Sequence, residues 1–266
     1  MTGALRGARV LVPRDGSWGA RVAVEVDRRG GVPVVAPLIA SAPPRDEASR
    51  DRAFAALAAG EYSWLFVTSA ASVEQLTARG VRIPATTRIA AVGPATARAV
   101  AASGAEVSFV PLGESSAAAM AAQWCAGRTP DTAGRSLVVR SDLATAVISD
   151  ELTLRGFAVD VCIAYRTVGV DLPREVASSL ARGTIDVVLL TSLSVARELR
   201  RQVGPLPAQV RVASIGPGTT RDAERLGFTV AHTARTQSVD ALLAELDDAG
   251  DASTGSTGSS EQQGTP

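Results

Sequence analysis

Short apolar runs rich in β-branched residues alternate with longer amphipathic stretches along most of the chain. The run over residues 8–14 predicts a buried strand, and the apolar spacing over 17–29 predicts the helix that follows it. The alternation continues to a last amphipathic helix over 238–247, which Ser238 is placed to cap. Buried strands separated by helices are typical of parallel sheets covered on both faces, so we predict an α/β fold of doubly wound, flavodoxin-like domains.

The pattern of apolar and polar residues predicts strands and helices along the whole chain up to about residue 247. Strands are predicted near residues 8–14, 32–37, 62–67, 88–91, 106–110, 136–140, 158–168, 186–190, 210–214 and 229–232. Helices are predicted over 17–29, 46–59, 70–79, 94–103, 115–126, 145–155, 173–181, 195–202, 217–226 and 238–247. Residues 38–44, crowded with prolines and small side chains, form a predicted connector. The Gly-, Ser-, Thr- and Gln-rich stretch 249–266 predicts a disordered tail.

Two Gly-Pro turns stand at equivalent places in this pattern, Gly93-Pro94-Ala95-Thr96 and Gly216-Pro217-Gly218-Thr219-Thr220. Each follows a strand and opens a helix, where proline is favoured. The free N–H groups of a first helical turn bind anions. Thr96, Thr219 and Thr220, with the N–H groups beside Gly216 and Gly218, are therefore candidate anion ligands. The alternative is that the threonines only cap their helices.

An internal repeat organises the chain. The second Gly-Pro turn lies 123 residues after the first, and Thr191-Ser192 lies 123 residues after Thr68-Ser69. A second offset, 126, relates Arg14 to Arg140. The two offsets together predict one domain built from residues 1–37 and 170–248 and a continuous domain over 42–164. Two strands, near 36–42 and 163–170, carry the chain between them.

Composition excludes several classes of function. The formal net charge is zero, which argues against a nucleic-acid footprint. All 27 basic residues are arginine, so neither a Schiff-base lysine nor a P-loop lysine is possible. Two distant cysteines, Cys125 and Cys162, and the single His232 do not form a zinc motif; we expect the cysteines to be core residues and His232 to be incidental. No secretory signal or membrane-spanning run is evident, so we expect a cytoplasmic protein.

Together these motifs resemble the uroporphyrinogen-III synthase family over about residues 5–248. The resemblance rests on Arg14 after the first strand, the 66–69 stretch Phe-Val-Thr-Ser, both Gly-Pro turns, the block from Leu154 to Thr167, and Leu190-Thr191-Ser192. It implies two α/β domains joined by a two-stranded linker, the first domain discontinuous. It also implies a cofactor-free lyase of porphyrin, tetrapyrrole and heme biosynthesis. That enzyme cyclises hydroxymethylbilane to uroporphyrinogen III, losing water and inverting ring D, in the cleft between the domains.

The resemblance assigns a role to Tyr165, and positions at strand ends suggest roles for other polar residues. Tyr165 aligns with the family's tyrosine, proposed as general acid toward the departing hydroxyl; the alternative is a packing tyrosine. Ser69 and Ser192 end strands on the ligand side, and their alternative role is to cap the next helix. Arg14 is a candidate carboxylate ligand, because arginine binds carboxylates bidentately, although a surface salt bridge is the plainer interpretation. For Arg140 the structural role is favoured. No metal ligand is predicted.

Other classes of function stay open at this point. A two-lobed ligand-binding protein would share the architecture but usually carries an export signal. A regulatory or catalytically idle tetrapyrrole-binding relative is the main alternative to the enzyme. We expect a monomer that acts on the small molecule hydroxymethylbilane and receives it by handover from hydroxymethylbilane synthase, without nucleic-acid or membrane partners.

Overall fold

A computed structural model of the chain describes residues 5–251, with side chains described to residue 248. The chain divides into two compact units. Unit 1 contains the described residues up to 40 and from 169 onward, and unit 2 contains residues 41–168. Most of the predicted tail, 249–266, lies outside the described residues.

Strands and helices alternate along most of the described chain, except that two strands follow one another near residues 32–42 and three helices near 94–133, the last of which was not predicted. The strands are β1 (Arg9–Val12), β2 (Val32–Val35), β3 (Ile39–Ala42), β4 (Trp64–Val67), β5 (Arg88–Ala91), β6 (Ser136–Ser141), β7 (Val159–Gly169), β8 (Val187–Leu190), β9 (Arg211–Ser214) and β10 (Val230–Thr233). The helices are α1 (Gly16–Arg28), α2 (Glu47–Ala58), α3 (Ala70–Ala78), α4 (Pro94–Ala102), α5 (Ala117–Ala126), α6 (Pro130–Ala133), α7 (Val147–Leu154), α8 (Arg174–Ala181), α9 (Leu193–Val203), α10 (Pro217–Arg225) and α11 (Val239–Asp251).

The sheet of unit 1 has the order β10-β9-β8-β1-β2, and its paired strands are all parallel. If the five strands of this unit are renumbered 1 to 5 in chain order, the sheet read from β2 to β10 has the order 2-1-3-4-5, which is that of flavodoxin-like sheets. Alternate residues of each central strand enter different cores. In β8, Val187 and Leu189 pack with α1 and α11, whereas Val188 and Leu190 pack on the opposite face. Burial on both faces explains why the strand reads as a continuous apolar run.

Unit 2 has the order β3-β7-β6-β4-β5, in which β7, β6, β4 and β5 are parallel. In β4, Leu65 and Val67 face one core, and Trp64 and Phe66 face the other. Trp124 of α5 packs edge-on against both of these rings, with centroids 5.3 Å and 5.0 Å away. The chain enters this sheet along β3 and leaves along β7, and the two strands are neighbours. The predicted fold class, two doubly wound α/β domains joined by two strands, is thereby confirmed.

The linking strand predicted near 36–42 from the repeat is confirmed by β3, which pairs with β7, although the local pattern over 38–44 indicated only a connector. One other local prediction was wrong. The strand predicted over 106–110 is reduced to a single bridge between Ala90 and Phe109. The cause is local: the N–H groups of Ser108 and Phe109 both donate to the Ile89 carbonyl, while the Ile89 N–H donates to the Ser108 side chain. A side chain that takes the place of a backbone acceptor interrupts the ladder.

Helix α11 begins as predicted and runs four residues past its predicted end at 247. Its Val239, Leu242, Leu243 and Leu246 are buried in the core of unit 1, as their spacing indicates. Within the described residues, none of the helices has both the length and the apolar character needed to cross a membrane.

Candidate active site

Three strands of unit 2 lead to polar groups at one edge of the sheet. Ser69 lies two residues beyond β4, Gly93 lies two residues beyond β5, and Tyr165 of β7 lies opposite Ser141, the last residue of β6. Because these strands are parallel, their carboxyl ends share one edge, and open α/β sheets bind ligands there. The predicted site residues Ser69, Thr96 and Tyr165 therefore belong to the same edge of one unit.

A β-bulge orients Tyr165. The pairing of β6 with β7 shifts register between Arg140, opposite Ile163, and Ser141, opposite Tyr165. As a result, the consecutive residues Ala164 and Tyr165 both enter the same core cluster instead of pointing to opposite faces. Bulges commonly redirect a side chain in this way. The Tyr165 side chain is 7% exposed, so its ring is fixed by packing.

The hydroxyl groups of Tyr165 and Ser69 form a hydrogen bond of 3.1 Å. Ser69 is also the N-cap of α3, since its side chain accepts the Ser72 N–H at 3.1 Å. The Ser72 hydroxyl, which sequence reasoning did not single out, lies 3.1 Å from the Ser69 hydroxyl. Of the two roles considered for Ser69, the helix cap is present, and its contact with Tyr165 is an addition that sequence reasoning did not predict; the substrate contact stays a prediction.

The Gly-Pro turn of unit 2 has the geometry of a helix start. Gly93 is the N-cap of α4 in extended conformation, Pro94 is the first helical residue, and no side chain caps this helix. The first-turn N–H groups at Ala95 and Thr96 therefore have no partner within the helix. The Thr96 side chain itself is 4% exposed and lies in the interior. In this unit the backbone N–H groups are the available anion donors.

The turn of unit 1 repeats this arrangement. Gly216 is the N-cap of α10, Pro217 and Gly218 follow, and again no side chain caps the helix. Thr219 is buried like Thr96. Thr220 lies one residue further, and its hydroxyl is 2.7 Å from the Thr233 hydroxyl at the end of β10.

A polar residue packs against each of these turns, and neither was predicted. A Cβ atom placed on Gly93 would stand 2.7 Å from the Ser115 Oγ atom, and one on Gly216 would stand 3.4 Å from the Gln237 Cγ atom. Ser115 and Gln237 each immediately precede a serine at the start of the next helix, which is the signal that could have found them.

The remaining predicted residues lie at equivalent places in unit 1. Ser192 caps α9 by accepting the Val195 N–H at 3.3 Å. Arg14 follows β1, is half-buried, and holds its guanidinium carbon 5.2 Å from the centroid of the Trp18 ring. Stacking of this kind orients a guanidinium while leaving its N–H groups available. Its repeat counterpart, Arg140, donates to the Ala144 carbonyl within unit 2, in keeping with the structural role favoured for it.

The cysteines are core residues, as expected, and both are free thiols. Burial raises the pKa of the Cys162 thiol to about 12 and also raises the pKa of Cys125. His232 is paired with Glu245, 3.0 Å away. Within residues 5–251, no three His, Cys, Asp or Glu side chains are grouped so that they could hold a metal ion.

Comparison with known proteins agrees with this architecture. The family model described as "Uroporphyrinogen-III synthase HemD" matches residues 20–244. A crystal structure of a mutant uroporphyrinogen III synthase from Thermus thermophilus matches 92% of this chain and 99% of its own, with 17% identity and a TM-score of 0.61. The uroporphyrinogen-III synthetase of Helicobacter pylori matches 90% and 97%, with 14% identity and a TM-score of 0.59. The structural matches establish the shared fold, and the family match covers most of the sequence. The chain belongs to the uroporphyrinogen-III synthase family.

Proposed function

We propose that the protein cyclises hydroxymethylbilane to uroporphyrinogen III, with loss of water and inversion of ring D. The family match supports the overall reaction. The observation that carries the proposal for this chain is the pair formed by Tyr165 and Ser69, whose hydroxyl oxygens are 3.1 Å apart at the ligand-binding edge of unit 2.

In this proposal Tyr165 is the general acid. Its phenol proton passes to the terminal hydroxyl of the substrate, which leaves as water and generates an azafulvene electrophile. Ring D then attacks this electrophile through the α-carbon that already carries the bridge to ring C, which gives a spiro intermediate. The bond from that carbon to the ring C methylene breaks, and the methylene electrophile released on ring C is attacked by the free α-carbon of ring D, which closes the macrocycle with ring D inverted. The proton lost from this free α-carbon returns to the phenolate and restores the phenol. A positioned acid of this kind typically contributes about 10²- to 10⁴-fold in rate. Holding the flexible chain folded contributes as well, so the loss of the acid alone should leave measurable activity.

The eight carboxylates of the substrate require many donors at fixed positions. We propose that the N–H groups of the two Gly-Pro turns, at Ala95 and Thr96 in unit 2 and at Gly218 and Thr219 in unit 1, bind some of them. Each contact at a helix N-terminus is worth about 0.3–1 kcal/mol, so the set matters more than any single member. Arg14 adds a bidentate donor, and Ser192 and Thr220 add hydroxyl groups.

We propose further that the protein acts as a cytoplasmic monomer without a cofactor. Linear hydroxymethylbilane closes by itself to the type I isomer. Direct handover from hydroxymethylbilane synthase would prevent this closure and keep the product as type III. Sedimentation velocity tests the monomeric state and the handover. A stable dimer of the protein alone would contradict the monomer. Unchanged sedimentation of a mixture with that synthase would contradict the handover.

The function itself has a direct assay. Hydroxymethylbilane is generated in situ by its synthase, the protein is added, and the products are oxidised and separated as porphyrin isomers. We expect predominantly type III. If only type I appears, the chain is instead a catalytically idle or regulatory relative. Retention of tetrapyrrole binding in an equilibrium titration would then support that second candidate.

A further inference from the structure

The hydroxyl of Ser69 has three hydrogen-bond partners at nearly equal distance. The Ser72 N–H, the Ser72 hydroxyl and the Tyr165 hydroxyl each lie 3.1 Å from its oxygen. A serine hydroxyl has one proton to donate and two lone pairs with which to accept. The Ser72 N–H can only donate, so it occupies one lone pair. Of the two remaining contacts, Ser69 must therefore donate in one and accept in the other.

Burial decides between these two arrangements. Ser72 is 0% exposed, so its hydroxyl proton cannot be given to bulk water, whereas Tyr165 is 7% exposed at the edge where the substrate is proposed to bind and to take the phenol proton. Among the described residues, the side-chain hydrogen bond found for the Ser72 hydroxyl is the one to Ser69. If Ser69 donated to Ser72, the Ser72 proton would be buried without a partner, which costs about 1–3 kcal/mol. Ser72 therefore donates to Ser69, and Ser69 donates to the Tyr165 oxygen.

We infer that Ser72 is a positioning residue that sets the direction of this hydrogen-bond chain and so leaves the Tyr165 proton free for the substrate. This inference rests on the proposed function, because it assigns the direction of proton transfer at the proposed acid. When Tyr165 has given up its proton, the phenolate oxygen can only accept. The arrangement already in place, Ser72 to Ser69 to Tyr165, supplies the donor that it then requires.

The repeat provides an internal comparison. Ser192 caps α9 in unit 1 as Ser69 caps α3 in unit 2. The residue three positions later in unit 1 is Val195, whose N–H still donates to the cap. Capping therefore does not require a hydroxyl at this position. The extra hydroxyl occurs in the unit that holds Tyr165.

The test uses the absorbance of Tyr165 itself. The chain has two tyrosines, so a Tyr62→Phe background leaves Tyr165 as the sole source of a phenolate signal near 295 nm. In that background, Ser72→Ala should move the phenolate transition upward by up to about 1 pH unit, because the neutral phenol can then donate to Ser69, an arrangement that the buried Ser72 proton otherwise disfavours by about 1–3 kcal/mol. In the type III assay, Ser72→Ala should lower kcat roughly three- to tenfold and leave KM unchanged.

Two further variants separate the hydroxyl from packing. Ser72→Thr keeps the hydroxyl and should restore both the titration and kcat. Ser149→Ala removes another buried helix serine of unit 2, whose hydroxyl bonds to the Ala146 carbonyl, and should change neither. An unmoved phenolate transition in folded Ser72→Ala overturns the inference. Failure of the parent protein to form type III product would instead overturn the proposed function, and the titration would still report on the hydrogen-bond chain.

Discussion

The hydroxyl oxygens of Ser69 and Tyr165 lie 3.1 Å apart, although 96 residues separate them in the chain. The contact exists because β4 and β7 both end at the same edge of the sheet, on either side of β6. The helix cap that begins α3 and the bulge that turns Tyr165 inward bring the two groups to the same point. Local features on two elements thus combine into one candidate catalytic pair.

Replacement of the proposed acid tests its role most directly. Tyr165→Phe keeps the buried ring and removes the hydroxyl, so we expect kcat for type III formation to fall roughly 10- to 100-fold with a small change in KM. Tyr62→Phe is the matched control, because Tyr62 donates to Asp160 and is not among the site residues. Equal rates for Tyr165→Phe and the parent protein would rule out the general-acid role.

Alanine variants of the two N-cap serines, Ser69 and Ser192, distinguish an effect on stability from an effect on catalysis. Ser69→Ala and Ser192→Ala each remove an N-cap, so each should lower the free energy of unfolding by about 1 kcal/mol, measured by urea denaturation. Ser69→Ala should in addition reduce the type III rate at substrate saturation, because Tyr165 loses its partner. Ser192→Ala removes a proposed substrate ligand, so it should raise KM and leave kcat unchanged. Equal kcat values for the two variants would show that the link between Ser69 and Tyr165 has no catalytic consequence.

The fold was largely predictable because a strand that is buried on both faces of a sheet has apolar residues at every position. Runs such as Trp64–Val67 and Val187–Leu190 are apolar throughout, and the glycines after the helices mark where each helix ends. Strand β3 escaped direct detection because Pro43 and Pro44 border it and three of its four side chains are small. Only the repeat offsets indicated a strand there.

The site was less predictable because it depends on contacts between distant residues. Ser69 was identified from its place after a strand, but its bond to Tyr165 depends on a one-residue bulge that hydrophobic periodicity does not show. Thr96 and Thr219 were chosen for their hydroxyl groups, yet both side chains are buried. Ser72 was overlooked because a serine in a helix carries no distinctive pattern.

The two Gly-Pro turns should tolerate a methyl group differently. Gly93 is extended, with φ of −176°, so its backbone accepts alanine, but the new Cβ atom would stand 2.8 Å from the Ser115 Cβ atom. We expect Gly93→Ala to cost about 1–3 kcal/mol in stability and to raise KM. Gly216→Ala meets only ordinary contacts with Gln237 and should cost less than about 1 kcal/mol.

A double variant tests the cause at Gly93. Ser115→Gly removes the clashing side chain, so Gly93→Ala combined with Ser115→Gly should be more stable than the two separate losses predict. Urea denaturation of the four proteins gives this coupling energy. Strict additivity would show that Ser115 is not the obstacle.

The two cysteine thiols should be unreactive in the native protein. Burial raises the pKa of Cys162 to about 12 and raises that of Cys125, so neither forms the reactive thiolate at pH 8. We expect no rapid reaction with Ellman's reagent under native conditions and two equivalents on denaturation, matching the two cysteines of the chain. Fast labelling of a native thiol would contradict the packing described for α5 or β7.

Acid stability should depend on Glu25 of α1. Its carboxylate accepts two hydrogen bonds from Arg28, at 2.8 Å and 2.7 Å, and one from Arg29 at 2.8 Å, and these partners lower its pKa from 4.5 to about 2. A lowered folded-state pKa contributes stability that is present above the unfolded value and lost as the pH falls from about 4.5 toward 2. Because Arg28 is well exposed, we expect only about 1 kcal/mol.

Glu25→Gln should therefore be less stable than the parent protein at pH 7, and the difference should shrink toward zero near pH 2. Glu61→Gln is a suitable control, since its ion pair with Arg135 is about half exposed on both sides and longer, at 3.3 Å. Thermal unfolding from pH 7 down to the lowest pH at which the parent protein is folded provides the comparison. A Glu25→Gln penalty that stays constant across this range would assign the loss to packing of the side chain and not to its charge.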